Sequence, residues 1–165
     1  MSTTERPHGR GQHGDEMGTD HAGLDVLPLQ DCLHRLGTAR VGRVAFVHDG
    51  EPVILPVNHG LDGEAVVFRS SPGSKLAAAE DELPVAFEVD GFDVDRQTGW
   101  SVVVRGTATR VTDPTVIDRL ERLGVWPWAR ATERRDWVRI RAYEISGRRI
   151  PMRTDSITPA GHQHQ

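Results

Sequence analysis

Two Asp-Gly dipeptides, Asp49-Gly50 and Asp62-Gly63, constrain the fold more than any other feature of the sequence. Each stands between runs rich in Val, Ile, Phe and Ala. Because Asp-Gly tolerates the positive φ angles of a two-residue hairpin turn, each pair predicts antiparallel strands on its two sides. The runs 40–48, 51–59 and 65–70 therefore predict a three-stranded meander.

The middle strand of this meander contains two prolines, Pro52 and Pro56. Proline has no N–H to donate, so such a strand must lie at an edge, bulge, or face something other than a neighbouring strand. We expect its unpaired edge to be free to face a ligand.

Three short helices and three more strands complete the predicted set. Apolar spacing, capping residues and Gly or Pro stops predict helices over 29–36, 74–83 and 114–123. Strands are predicted over 85–89, 100–111 and 136–145, with a polar loop over 90–99. Six strands mostly in hairpin order, with helices as connections, favour a mainly β, closed antiparallel barrel.

The two ends of the chain have little to bury. Residues 1–23 are mainly Gly, His, Thr and charged residues, and residues 153–165 are similar in character. Both are therefore predicted to be disordered tails on one domain over 24–152. His8, His13 and His21 are irregularly spaced, and no metal site is assigned to them.

Charge and cysteine content exclude several classes of function. The net charge is −4 with no block of like charge, which argues against nucleic acid or an anionic membrane as a partner. No apolar run reaches the ~20 residues of a membrane span. The N-terminus lacks a signal-peptide pattern, and the single cysteine, Cys32, suits a reducing compartment. We expect a cytoplasmic protein.

The segment 68–75, Phe-Arg-Ser-Ser-Pro-Gly-Ser-Lys, gathers cations and hydroxyls around the start of a predicted helix. The first N–H groups of a helix lack partners and lie at the positive end of its dipole, so they favour a phosphate. Arg69 and Lys75 would add positive charge. The spacing is not that of a Walker P-loop. A capped surface helix with ordinary basic neighbours is the alternative from the pattern alone.

Four tryptophans stand at the ends of predicted strands and loops: Trp100, Trp126, Trp128 and Trp137. Large aromatic rings at strand ends can wall a flat cofactor. They can equally fill the end of a small barrel or a dimer contact, and the sequence leaves these alternatives open.

No motif of a hydrolase or zinc enzyme is present, since Gly-x-Ser-x-Gly and His-Glu-x-x-His are both absent. His59 beside Asn58 has the chemistry of a proton donor, but a lone histidine at a strand end is interpreted as a polar surface residue. Asp93-Val94-Asp95 lacks the further ligands of an EF-hand. No catalytic residue and no metal ligand is assigned.

In their order and spacing, these segments resemble the pyridoxamine 5′-phosphate oxidase-like superfamily, especially its small actinobacterial branch with proteins of the nitroimidazole-resistance type. The resemblance covers about 27–150 and is carried by ARVGRVAFVHDGEPVILPVNHGLDG, VVFRSSPGSKL, VAFEVD, GWSVVVRGTATRV and WVRIRAYEISGRRI. It implies a six-stranded split β-barrel that forms a homodimer, with FMN at the subunit interface.

The resemblance also implies which residues contact the cofactor. The backbone of Pro56, Val57 and Asn58 would run beside the isoalloxazine ring. Trp100 and Ser101 would approach from the partner subunit. The phosphate end would be held by five residues: Arg69, Ser70, Ser71, Ser74 and Lys75.

The activity implied is that of an FMN-binding oxidoreductase that takes hydride from a reduced nicotinamide and reduces a small acceptor, such as a quinone or a nitro compound. Two alternatives remain: a deazaflavin-dependent reductase with the same barrel, and a non-enzymatic flavin carrier or redox sensor. The C-terminal arginine and histidine set of true pyridoxamine phosphate oxidases is not found, because residues 146–150 are Ser-Gly-Arg-Arg-Ile. Pyridoxal phosphate synthesis is therefore not expected.

Overall fold

A computed structural model describes residues 18–71, 82–128 and 136–152 of the chain. Within these ranges seven strands and two helices form in chain order: β1 (Asp25–Val26), α1 (Leu29–Thr38), β2 (Val41–His48), β3 (Glu51–Asp62), β4 (Ala65–Ser70), β5 (Leu83–Asp93), β6 (Thr98–Arg110), α2 (Pro114–Glu121) and β7 (Asp136–Ile150). None of the helices in the described ranges is long and apolar enough to cross a lipid bilayer.

Six of the strands close into an antiparallel ring, in the order β7, β4, β3, β2, β5, β6 and back to β7. The ring closes because the 15 residues of β7 pair with β4 through 136–140 and with β6 through 138–150. The short strand β1 lies outside the ring: it pairs with the end of β7, and its Asp25 also forms an antiparallel bridge with Thr19. This ring confirms the predicted mainly β, six-stranded split barrel.

The core follows from strand alternation, because every second side chain points into the ring. Phe87 and Leu36 are fully buried, and α1 covers one end of the barrel with Cys32 and Leu36. Every strand of the ring except β3 contributes buried apolar residues to this core. Three residues of β3, Val53, Val57 and Leu61, pack against the core but are only partly buried.

A second, smaller core lies outside the ring, where α2 packs on β4 and β7. It contains Val67, Leu120, Val125 and Trp137. Beside it, Arg119 of α2 donates to Asp62 at 2.8 Å, and this hydrogen bond holds the pKa of the Asp62 carboxyl below its usual value. α2 is thus fixed to the outer face of the barrel by both apolar contacts and charge.

The Asp49-Gly50 turn and the cap of α2 follow their predicted chemistry. Asp49 and Gly50 have φ values of +52° and +80°, as the two-residue hairpin requires. The Asp113 side chain accepts from the Thr115 N–H at 2.8 Å and so caps α2.

The second hairpin differs from the prediction. Asp62 is the last residue of β3 and pairs with Ala65, so the two-residue turn is Gly63-Glu64. Of these two residues Gly63 has the positive φ, +66°.

Several predicted boundaries differ from the structure. β5 begins at Leu83, so neither Leu83 nor Pro84 ends a helix. β5 also extends to Asp93, so the loop to β6 comprises residues 94–97 instead of the predicted 90–99. The helix predicted from Ser74 otherwise falls on 72–81, outside the described residues. β3 and β7 are longer than predicted, and β1 was not predicted.

The described chain begins at Gly18, before the predicted domain boundary at 24. Asp20 forms a turn by accepting from the N–H groups of Ala22 and Leu24 at 2.9 and 3.0 Å. Its other oxygen accepts from Arg148 Nε at 2.9 Å, which ties the turn to β7. The remaining parts of both predicted tails, 1–17 and 153–165, lie outside the described residues.

Candidate functional site

β3 changes its neighbour at Asn58. Its residues 51–58 pair with β2, whereas residues 59–62 pair with β4. In the described part of the chain, each half of β3 therefore has one edge without a partner strand. β4 continues past Phe68 in its ladder with β7, so the ladder between β3 and β4 ends at the pair His59–Phe68 and leaves residues 56–58 of β3 and residues 69–71 without pairing to each other. We call the region between these two unpaired stretches the β3–β4 gap.

Pro52 and Pro56 carry their backbone nitrogens on the open edge of β3, and Pro56 borders the gap. Both belong to the ladder with β2, opposite Val47 and Arg43. Since proline cannot donate into a ladder, the continuous pairing places these two residues at positions whose backbone groups point away from β2. The prediction of a proline-bearing strand with an unpaired edge is confirmed.

The gap brings together six of the ten residues predicted to contact a cofactor. Pro56, Val57 and Asn58 line one side, and the chain through Arg69, Ser70 and Ser71 forms the other. Ser74 and Lys75 lie outside the described residues.

Arg69 is the cation of the gap that the structure describes, and 11% of its side chain is exposed. Its guanidinium lies between two indole rings, 4.7 Å from the centroid of Trp137 and 5.1 Å from that of Trp126. It donates to Glu121 of α2, which also accepts from Trp137 Nε1 at 3.0 Å. The charge of Arg69 is thus already balanced within the chain.

Asn58 connects the gap to a cavity of about 480 Å³. Its Nδ2 donates to the Arg40 carbonyl at 3.0 Å, and its Oδ1 accepts from the Trp128 N–H at 2.8 Å. These two bonds hold the loop after α2 against the start of β2. The cavity, called here the tryptophan cavity, lies beside the open edge of β3 residues 59–61 and is bordered by Arg40, Trp126 and Trp128.

His59 is buried, with 7% of its surface exposed, so its interpretation as a polar surface residue is wrong. Its Nε2 donates to the Leu36 carbonyl at 2.8 Å. The centroids of its ring and the Phe87 ring are 4.8 Å apart, in an edge-to-face arrangement. Because a carbonyl only accepts, Nε2 carries the proton, and Nδ1 has no hydrogen-bond partner among the residues that the structure describes. Burial lowers the pKa of His59.

Trp100 and Ser101 lie away from the gap within one chain. Trp100 shares the inward face of β6 with Val102 and Val104, and Arg35 of α1 stacks over its ring at 4.5 Å. Ser101 falls on the opposite face by alternation. Trp100 and Ser101 instead line a separate cleft of about 270 Å³ at the end of β5, β6 and β7.

Sequence reasoning missed the positions of His59 and Glu121 and the tryptophan cavity. The sequence feature that indicates the cavity is Trp126-Pro127-Trp128, because both of its tryptophans line the cavity wall. Three of the four tryptophans lie on the α2 side of the barrel, with Trp137 buried and the other two exposed.

Comparison with known proteins places this geometry in a family. The family model described as pyridoxamine 5′-phosphate oxidase matches residues 28–149. An uncharacterized protein of Mycobacterium tuberculosis, Rv0080, is 34% identical over 122 residues, which cover 70% of this chain and 80% of the relative.

Two solved structures extend the comparison. An FAD-binding protein from Mycobacterium smegmatis matches with a TM-score of 0.66 and 33% identity, covering 76% of this chain and 99% of its own. An FAD-binding protein from Mesorhizobium loti matches with a TM-score of 0.65 and 25% identity, covering 78% of this chain and 99% of its own. The chain belongs to the pyridoxamine 5′-phosphate oxidase family, as its motifs indicated.

Proposed function

We propose that this protein is a flavin-dependent oxidoreductase that binds the FMN moiety of its cofactor in the β3–β4 gap. The observation that carries the proposal is the open edge of β3 at 56–58, which faces the chain through 69–71. Relatives described as FAD-binding, at 33% and 25% identity, support a flavin as the class of cofactor.

The residues around the gap suit the two ends of such a cofactor. Backbone groups of Pro56, Val57 and Asn58 would lie along the isoalloxazine ring, where the open strand edge offers hydrogen-bonding partners. The hydroxyls of Ser70, Ser71 and Ser74 would hold the phosphate. Lys75 would supply its counter-charge, because the charge of Arg69 is shared with Glu121.

The bound flavin supplies the redox chemistry, and the protein binds and orients it. We infer that a reduced nicotinamide delivers hydride and that a small quinone or nitro compound accepts the electrons, in the cytoplasm. No side chain is assigned as an acid or base. A deazaflavin in the same gap, or flavin storage without turnover, is the competing function.

We further propose that two chains complete each site. On the outer face of paired strands β2 and β3, Val47 and Ile54 are 62% and 66% exposed, which is the apolar surface a partner would cover. Trp100 does not reach the gap of its own chain, so it would contribute to the site of a partner. A two-fold dimer would make two equivalent sites.

Titration with FMN, riboflavin and a deazaflavin tests the proposal. FMN should bind in one copy per chain with quenching of its fluorescence, and the bound flavin should be bleached by a nicotinamide and reoxidised by an added acceptor. Binding of the deazaflavin without binding of FMN would contradict the cofactor. Bleaching without reoxidation by any acceptor would favour storage over catalysis.

A further inference from the structure

An FMN moiety in the β3–β4 gap leaves the tryptophan cavity unassigned, and Arg69 and Asn58 link the cavity to the gap. Arg69 belongs to the gap and stacks on Trp126, which borders the cavity. Asn58 belongs to both. At about 480 Å³ the cavity is within the size range of small-molecule sites.

We propose that the tryptophan cavity binds the adenosine half of FAD, so that FAD is held more tightly than FMN. This inference rests on the proposed flavin site. The adenosine of FAD is joined to the FMN moiety through its phosphate, and the cavity begins one indole ring away from Arg69 on that side.

Two exposed indoles give the cavity its chemistry. Trp126 and Trp128 are 65% and 74% exposed, although tryptophan is a residue type that folding usually buries to a large extent. A purine base stacks favourably on such rings, and the stack would cover apolar surface that is otherwise in water.

Charge at the cavity fits a dinucleotide. The Arg40 side chain forms no ion pair with any residue that the structure describes, whereas Arg69 is paired with Glu121. FAD carries a second phosphate that FMN lacks. Arg40 is the cation at the cavity wall that is available to it.

The test compares FAD and FMN binding to the full chain and three variants. Wild-type protein should bind FAD more tightly than FMN. Trp128→Ala and Arg40→Gln should each weaken FAD binding by roughly 5- to 100-fold, as expected for one lost stack or one lost charged contact, with FMN affinity little changed. Tyr143→Ala, which removes an aromatic ring that is 70% exposed on β7, is the matched control and should change neither affinity.

The outcomes separate the two proposals. If FMN and FAD bind equally well to wild-type protein, or if both variants weaken the two flavins equally, the adenosine site is wrong while the flavin site stands. If the variants weaken only the binding of a reduced nicotinamide, the cavity belongs to that ligand and the inference is overturned. If neither flavin binds to wild-type protein, the proposed function itself fails. Trp128 is exposed, and Arg40→Gln provides a second variant should the first be destabilised.

Discussion

Arg69 of β4 and Glu121 of α2 form an ion pair across 52 residues of sequence, and the guanidinium of Arg69 lies between the rings of Trp126 and Trp137. The pair fixes α2 to the sheet and determines what Arg69 can offer to a ligand.

Loss of the Glu121 carboxylate should therefore destabilise the fold. In Glu121→Gln the largely enclosed Arg69 keeps its charge without a carboxylate beside it, and we expect the free energy of unfolding to fall by roughly 1–3 kcal/mol. Glu144→Gln is the matched control, because Glu144 pairs with Arg105 and the two side chains are 48% and 60% exposed. That change should cost less than about 1 kcal/mol. Urea unfolding at one fixed protein concentration measures the free energy of unfolding of the two variants. Equal decreases in Glu121→Gln and Glu144→Gln would contradict the role of the Arg69–Glu121 pair.

His59 should make stability depend on pH. Burial lowers the pKa of His59 in the folded protein, so the unfolded chain binds more protons as pH falls below about 6.5. The stability contributed by neutral His59 is complete above that pH and is lost as pH falls through the folded pKa, with a slope of at most about 1.4 kcal/mol per pH unit. His59→Gln should flatten this slope, whereas His34→Gln, at an exposed position on α1, should not. An unchanged slope in His59→Gln would show that other groups cause it.

Gly42 lies where β2 crosses the ring of Phe87, and a Cβ there would overlap that ring. Gly42→Ala should lower the free energy of unfolding by roughly 1–3 kcal/mol, because the core cannot accommodate the methyl group without shifting. Gly37→Ala is the opposite case, since its Cβ would meet Leu61 Cδ1 at an ordinary 3.6 Å within α1. That variant should gain about 0.5–1 kcal/mol from helix propensity. Thermal unfolding of the two variants in parallel should show shifts of opposite sign.

Lys75 tests the phosphate end of the proposed flavin site. Lys75→Ala should weaken FMN binding by roughly 1.5–3 kcal/mol, the usual loss for one charge-assisted hydrogen bond. Riboflavin lacks the phosphate, so its affinity should not change. Arg96→Ala removes an exposed charge from the turn between β5 and β6 and should leave both affinities as they are. An equal loss for riboflavin and FMN would place Lys75 at the ring or in folding.

Mixed dimers test the shared site. Lys75→Ala and Trp100→Ala chains should each bind FMN poorly alone, whereas their heterodimer should regain one normal site, because one of its two sites inherits both wild-type residues. Co-purified heterodimers carrying two different tags allow this titration. Binding no better than that of the parents, or full occupancy in a monomer, would contradict the proposal.

The strands and hairpins could be predicted because their signals are local. The Asp49-Gly50 turn has the positive φ values that its sequence demands, and β4 has the predicted bounds. β5 was predicted too short at both ends, because Pro84 was interpreted as a helix stop and residues 90–93 were assigned to a polar loop. The structure tolerates Pro84 in a strand because residues 83–85 pair with β6 alone and β2 joins only at 86–88.

The site was harder to predict because it depends on partners that are distant in sequence. His59 was placed at the end of a strand, but β3 continues to Asp62 and brings His59 onto the inward face with Val57 and Leu61. The pairing of Arg69 with Glu121 depends on where α2 packs, which no spacing in either segment indicates. The position of Trp100, in a cleft apart from the β3–β4 gap, likewise follows only from the closure of the ring.

The two prolines of β3 also bear on whether strands of other molecules can pair with this edge. An open strand edge is a template on which another molecule's strand can add, and long apolar edges of this kind aggregate. Along residues 52–58, the backbone nitrogens on the open edge of β3 are those of Pro52, Ile54, Pro56 and Asn58, and half of them carry no hydrogen. A foreign strand would find its hydrogen-bond ladder interrupted at every second position. The same two prolines that mark the edge proposed to face the flavin therefore also oppose intermolecular sheet growth along it.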